Sequence, residues 1–337
     1  MCRTYQEYYC AALEKTLSRY TDRMGVAFPV PVTIASIEAN SFWAVGYPEG
    51  EDLKLDVTTG ALDRIQAVWE KALVLSDTLP REQQIALLGH PDHAVEMSFS
   101  WLLQHELNHH AIGHFTYLDG MGLAEGNSPY GLGVVQRTGK QRKPKPHGLN
   151  ERELADLHMC LELQTDHDAI EIVLGAYSAE NWPLFRYYAT CILVVMFIIE
   201  AEERRLDEPL RHHPLAATRL FQLIGHLVEL PTIPAIKRAY EEKLDHLPAE
   251  YLPTADELVA YRSEVVAPVM AASQIIAEAC GIPDAWDDVG SAEDMFADID
   301  AITLDQADSP SDFSTKGAKQ WADLKSINTD LLKKLGW

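Results

Sequence analysis

Residues 100–117 read SWLLQHELNHHAIGHFTY, a run whose apolar positions return at helical spacing around the pentad His105-Glu106-Leu107-Asn108-His109. Four residues make slightly more than one helical turn, so the imidazoles of His105 and His109 leave the same face and can hold one metal ion. Glu106 lies beside that face, where its carboxylate can take a proton from a water that the metal activates. Metzincin spacing would require glycine at 112 and histidine at 115; the chain has Ile112 and Phe115, which removes that class. A third ligand must come from elsewhere. The next helical segment, LHMCLELQTDHDAIEI over 157–172, places Glu162 and Asp166 one turn apart on one face. One of the two can bind the metal while the other orients a ligand histidine.

Outward from this centre, the periodicity predicts a helix over 3–24, followed by a β-type region. Residues 30–37 alternate weakly, and strands at 41–45 and 53–57 flank the turn-rich Gly46-Tyr47-Pro48-Glu49-Gly50. A helix follows over 61–75. Further helices are expected at about 92–117, 150–178, 183–206, 215–229, 233–245 and 254–280. This gives an α+β, mostly helical fold, with a small N-terminal sheet in residues 1–80 and the metal site in a helical part over 81–280. Residues 281–315 contain ten Asp and Glu and no Lys or Arg, so 281–337 reads as an acidic appendage, partly ordered at most, ending in a short helix. The loop 119–149 carries Arg137, Lys140, Arg142, Lys143 and Lys145. Opposite charge could draw the tail over this loop, although two solvated segments are the plainer reading.

The whole chain has 337 residues, with 28 Lys and Arg against 51 Asp and Glu, a net charge of −23. Such a surface repels nucleic-acid phosphates and anionic lipid, so neither is expected as a partner. Five scattered cysteines without a CxxC pair indicate neither a disulfide framework nor a cysteine zinc site, and fit a cytoplasmic location. The most apolar stretch, 187–199, is short of the roughly 20 residues that cross a bilayer, so it reads as a core helix.

HELNHHAIGH followed by ELQTD resembles the gluzincin metallopeptidases, in particular the CAAX prenyl endopeptidase family and its soluble bacterial relatives, whose pattern is HExxHxxxGH and then ExxxD. Asn40-Ser41-Phe42-Trp43-Ala44 and Val57-Thr58-Thr59-Gly60-Ala61-Leu62 look like that family's edge strand and its strand-to-helix turn. His213-Pro214-Leu215-Ala216-Ala217-Thr218-Arg219 is similar to its HPxxxxR element. The motif order is also similar to that of the phage-exclusion peptidase Lit. The resemblance implies a zincin-like fold and a zinc-dependent endopeptidase acting on a soluble protein, with one Zn2+ on His105, His109 and Glu162. Glu106 would be the general base and Asp166 would orient a ligand histidine. His213 or Arg219 would steady the developing oxyanion, and Ser41, Phe42, Trp43 and Ala44 would pair with an extended peptide. His110 and His114 read as structural neighbours of the site. Two other classes fit the same motifs: a catalytically silent metal-stabilised sensor or interaction module, and a nonpeptide amidohydrolase. An intact Glu106 argues against the first, and an edge strand beside an open cleft would argue against the second.

Overall fold

The computed structural model describes residues 4–120, 149–206, 211, 213–304, 306–307 and 309–335. Helix α1 (Tyr5–Met24) starts at Thr4, whose hydroxyl accepts from the Glu7 amide while the Glu7 carboxylate accepts from the Thr4 amide. Strands β1 (Val32–Ile37), β2 (Ala44–Glu49) and β3 (Asp52–Thr58) then form a sheet in the order β1-β3-β2. β1 is parallel to β3, with Ile34 opposite Leu55, and β2 is antiparallel to it, with Gly46 opposite the same Leu55. β2 is therefore an edge strand.

The second strand is displaced from the expected 41–45. It begins at Ala44 and takes in the Gly46-Tyr47-Pro48-Glu49 run that reads as a turn. The Gly46 amide donates to Glu106 instead of to β3, so alternation points the Pro48 nitrogen off the ladder as well. There a proline removes no sheet hydrogen bond. Reversal is left to Gly50, at φ 69°.

Gly60 explains how the chain reaches this edge. A Cβ there would lie 2.5 Å from the Asn40 backbone, so only glycine lets residues 39–41 cross the start of α2 (Thr59–Ser76). The Gly60 amide donates to Ala39, and the Thr58 hydroxyl donates to the Ser41 carbonyl at 2.6 Å. The two stretches quoted above, 40–44 and 57–62, thus hold each other, and together they set the height of β2.

The remaining helices are α3 (Pro91–Ala111), α4 (His114–Gly120), α5 (Glu151–Leu174), α6 (Trp182–Leu206), α7 (Ala216–Glu229), α8 (Ile233–Glu241), α9 (Ala255–Tyr261), α10 (Ala267–Cys280), α11 (Ala285–Val289), α12 (Ala292–Thr303) and α13 (Lys316–Leu335). A π turn at Arg262–Val266 joins α9 to α10 without a break. The helix expected over 92–117 is two helices, because Gly113 takes φ 85° and ends the first. Every residue of α3 from Met97 to His109 is buried, which makes it the central helix. Its neighbour α6 is long and apolar enough to span a bilayer, but 78% of its most apolar window is buried inside the protein. It is a core helix.

The acidic segment departs most from expectation. Val289, Met295, Ile299, Phe313, Ala318 and Ala322 belong to the same core cluster as α3 and α6. The Asp298 carboxylate accepts from the amides of Ser314 and Thr315 and from the Thr315 hydroxyl, fixing the entry to α13. A Cβ on Gly317 would sit 2.4 Å from the Ala217 carbonyl, so α13 presses directly on α7. The described part of 281–335 is therefore built into the fold and is not an appendage. Its carboxylates hid the apolar positions between them. The basic run 137–145 lies outside the described residues. Phe313→Ala should accordingly lower unfolding free energy by about 3–5 kcal/mol, as loss of a buried phenyl ring does. Denaturant unfolding checks this, and a change below about 1 kcal/mol would restore the view of a dispensable tail.

Candidate metal centre

Helix α3 supplies His105, Glu106 and His109, α5 supplies Glu162 and Asp166, and α7 supplies Arg219. His105 Nε2 and His109 Nε2 are 3.3 Å apart; His105 Nε2 is 3.2 Å from Glu162 Oε2, and His109 Nε2 is 3.3 Å from Glu162 Oε1. A tetrahedral zinc at about 2.0–2.1 Å from its ligands needs donors about 3.3–3.4 Å apart. The two imidazole nitrogens already stand at the spacing of two corners of that tetrahedron, and Glu162 faces them with one carboxylate oxygen toward each, one donor atom of each residue lying within 4.8 Å of the others. All three are buried, and the set of two imidazoles and one carboxylate suits zinc.

The charges call for a cation. Burial alone would push the Glu162 carboxyl up, but His105 and His109 outweigh it and hold the group well below the usual carboxylate range. Burial likewise pulls the His105 imidazole down, and Glu162, then Asp166, more than reverse this, raising it to about 10. A proton on His105 offsets Glu162, while the buried Arg219 guanidinium offsets Asp166. A divalent ion would take over that role.

A second layer fixes each imidazole. His105 Nδ1 is 3.0 Å from Asp166 Oδ1, and Asp166 in turn accepts two 2.6 Å hydrogen bonds from Arg219 Nε and Nη2. Burial opposes ionisation of Asp166, but the Arg219 charge leads the groups that keep it a carboxylate. The Asp166 carboxylate 3.0 Å away favours the proton on Nδ1, although the angle falls short of a formed hydrogen bond, and this leaves the Nε2 lone pair to the centre. On the other side, His109 Nδ1 is 2.9 Å from His114 Nδ1, and His114 Nε2 is 3.0 Å from Gln164 Oε1. Gln164 Nε2 donates to Asn328 Oδ1 at 2.6 Å, so the amide oxygen of Gln164 is left to accept. Burial holds the His114 imidazole down at about 3, so it is neutral. His114 therefore carries its proton on Nε2, accepts at Nδ1 from His109, and leaves His109 Nε2 as the donor to metal. This chain begins on α13, in the segment that reads as a tail.

Glu106 Oε2 accepts from the Gly46 amide at 2.9 Å, which ties the general-base candidate to the unpaired side of β2. Burial pushes the Glu106 carboxyl up. His213 precedes α7; its Nδ1 is 2.6 Å from Glu203 Oε1, its Nε2 is 3.9 Å from Glu162 Oε2, and its side chain is 20% exposed. It stands at the rim of the centre with one nitrogen held from behind.

The structure thus brings His105, His109, Glu162, Glu106, Asp166 and His213 together. Arg219 is fully buried and committed to Asp166, behind His105, so it is not placed to meet a substrate. Of the four residues expected to bind a peptide, only Ala44 is in the edge strand. Phe42 is in the core, the Ser41 carbonyl accepts from the Thr58 hydroxyl, and the Trp43 carbonyl accepts from the Thr58 amide. The backbone groups that point away from β3 belong instead to Ala44, Gly46 and Pro48, with the Gly46 amide already given to Glu106. Gly46, Glu203, Gln164 and Asn328 escaped the sequence reading; Glu203 alone left a trace, as an acid closing an apolar helix. No protein-family model, curated protein or solved structure matches the chain.

Proposed function

We propose that this protein is a zinc-dependent endopeptidase that hydrolyses peptide bonds in a soluble protein substrate. The observation that carries the reading is the buried donor cluster of His105, His109 and Glu162, with the two imidazole nitrogens 3.3 Å apart, one donor atom of each residue within 4.8 Å of the others, and Glu106 beside it on the same helix as the histidines. A purely structural zinc has no use for a buried carboxylate at that position. The gluzincin resemblance of the four motifs leads to the same reading. The described cysteines, Cys10, Cys160, Cys191 and Cys280, are all free thiols, in keeping with action in the cytoplasm.

Zinc bound to the three donors would supply Lewis-acid activation of a water and of the scissile carbonyl. Glu106 then takes the water's proton on a carboxylate oxygen and delivers it to the departing amine, so one group serves both halves of the reaction. Its burial raises its proton affinity toward that task. The Glu203 carboxylate accepts from Nδ1–H of His213, and the imidazolium form, which alone carries a second proton on Nε2, can donate from there to the developing oxyanion. An extended substrate would lie along the unpaired side of β2, where the Ala44 and Gly46 carbonyls face outward and Glu106 is within reach of the scissile bond.

Zinc-loaded protein incubated with denatured proteins should generate new peptide termini. Chelation should abolish them and added zinc should restore them. Absence of cleavage across broad peptide libraries, with zinc bound, would move the protein to the class of silent sensors.

A further inference from the structure

Among the described residues a second group of side chains offers a metal-ligand set, and the proposed peptidase chemistry makes no use of it. His167 and Glu171 lie one turn apart on α5, on a flank turned roughly 140–180° from Glu162 about the helix axis. His226 faces them from α7, its ring 5.6 Å from that of His167 at 82°. His167 Nε2 is 3.6 Å from Glu171 Oε1, and one donor atom from each of the three residues lies within 4.8 Å of the others.

His226 points to a ligand independently of this spacing. Its side chain is 6% exposed, yet its ring makes no hydrogen bond with any other described residue. Buried polar side chains are nearly always paired, and this one finds no protein partner among the described residues, which leaves its ring nitrogens to solvent or to an ion. What it meets is a histidine and a carboxylate whose side chains are 50% and 53% exposed, and so free to turn toward it. A tetrahedral ion needs its donors about 3.3–3.4 Å apart. The His167–Glu171 spacing is already close to that, and the exposed pair has only to close the remaining gap of about 1.5 Å toward the fixed His226.

We propose that His167, Glu171 and His226 form a second site for a divalent transition metal of the zinc type, which clamps α5 to α7. Two imidazoles and a carboxylate select such an ion over calcium or magnesium, which take oxygen ligands. Its place in the fold gives the clamp a consequence. α5 and α7 are already joined at the first centre by the Asp166–Arg219 pair, and His226 lies two turns, about 10 Å, further along α7 from Arg219. An ion here would fix the same helix pair at a second point and so hold α5, which carries Glu162 and Asp166, at constant spacing.

The test uses the full chain without a polyhistidine tag, and zinc as the probe. Equilibrium dialysis should show two zinc equivalents for the native protein, the second weaker than the first. His167→Ala and Glu171→Gln alter exposed side chains and should leave the fold intact, while each weakens the second equivalent by roughly 100-fold and leaves the first in place. His105→Ala/His109→Ala should show the reverse pattern. The second equivalent should raise the melting temperature of the native protein but not that of His167→Ala. A single equivalent in the native protein would overturn the proposal. So would a second equivalent that both exposed-residue variants retain, since the ion would then sit on other surface histidines. Because the readout is binding, the proposal can fail while the peptidase reading stands, and the reverse is also possible.

Discussion

Glu106→Gln should give a folded protein that still binds zinc at the first centre and cleaves peptides about 10²–10⁴-fold more slowly. The substitution preserves volume, and the amide oxygen can still accept from the Gly46 amide that now meets Glu106 Oε2. What is lost is the ability to take a proton from water and return it to the leaving amine. Burial already disfavours the charged form of Glu106, so the neutral amide should not cost stability. Single-turnover cleavage measured beside metal content separates chemistry from binding. A variant that cleaves at the native rate with zinc bound would remove Glu106 from the mechanism.

Arg219→Met should be the most damaging change outside the ligands themselves. Arg219 and Asp166 are both fully buried and share two 2.6 Å hydrogen bonds. Removing one partner strands the other charge in a dry interior, which typically costs about 3–5 kcal/mol. Asp166 would then hold His105 less firmly, and zinc affinity should fall by about 10–100-fold, as it does when the group behind a ligand histidine is lost. Arg219→Met/Asp166→Asn should lose less stability than the sum of the two single changes, because the second removes the stranded charge. Chemical unfolding and zinc competition measure both effects. If Arg219→Met keeps stability and zinc affinity and lowers only the turnover rate, Arg219 contacts the reacting carbonyl after all.

The clustering of His105, His109, Glu162 and Asp166 was legible because it is local: HELNH sets two imidazoles on one face by helical period alone, and Glu162 with Asp166 repeat that spacing on the next helix. Roles that depend on approach between distant segments were not. Arg219 reads as a group for the oxyanion until the fold places it, buried against Asp166, behind His105. The free edge of β2 shifted from Ser41 and Trp43 toward Gly46 because β3 pairs as far as Glu49, past a proline whose nitrogen happens to point off the ladder. The acidic segment misled for a compositional reason. Ten carboxylates suggest a solvated tail, but Met295, Ile299 and Phe313 are spaced among them so that one side of the segment enters the core. Asn328, the far end of the His109–His114–Gln164 chain, carries no signal in sequence at all.

The central claim is that His105, His109 and Glu162 together hold one zinc ion. Zinc-edge X-ray absorption on tag-free protein loaded with one equivalent addresses it directly. The expected spectrum has two imidazole nitrogens and a carboxylate oxygen at about 2.0–2.1 Å, completed by one further light atom. This signature should disappear from His105→Ala and from Glu162→Ala. Zinc that keeps its coordination in both variants, or a protein that takes up no zinc at all, would contradict it.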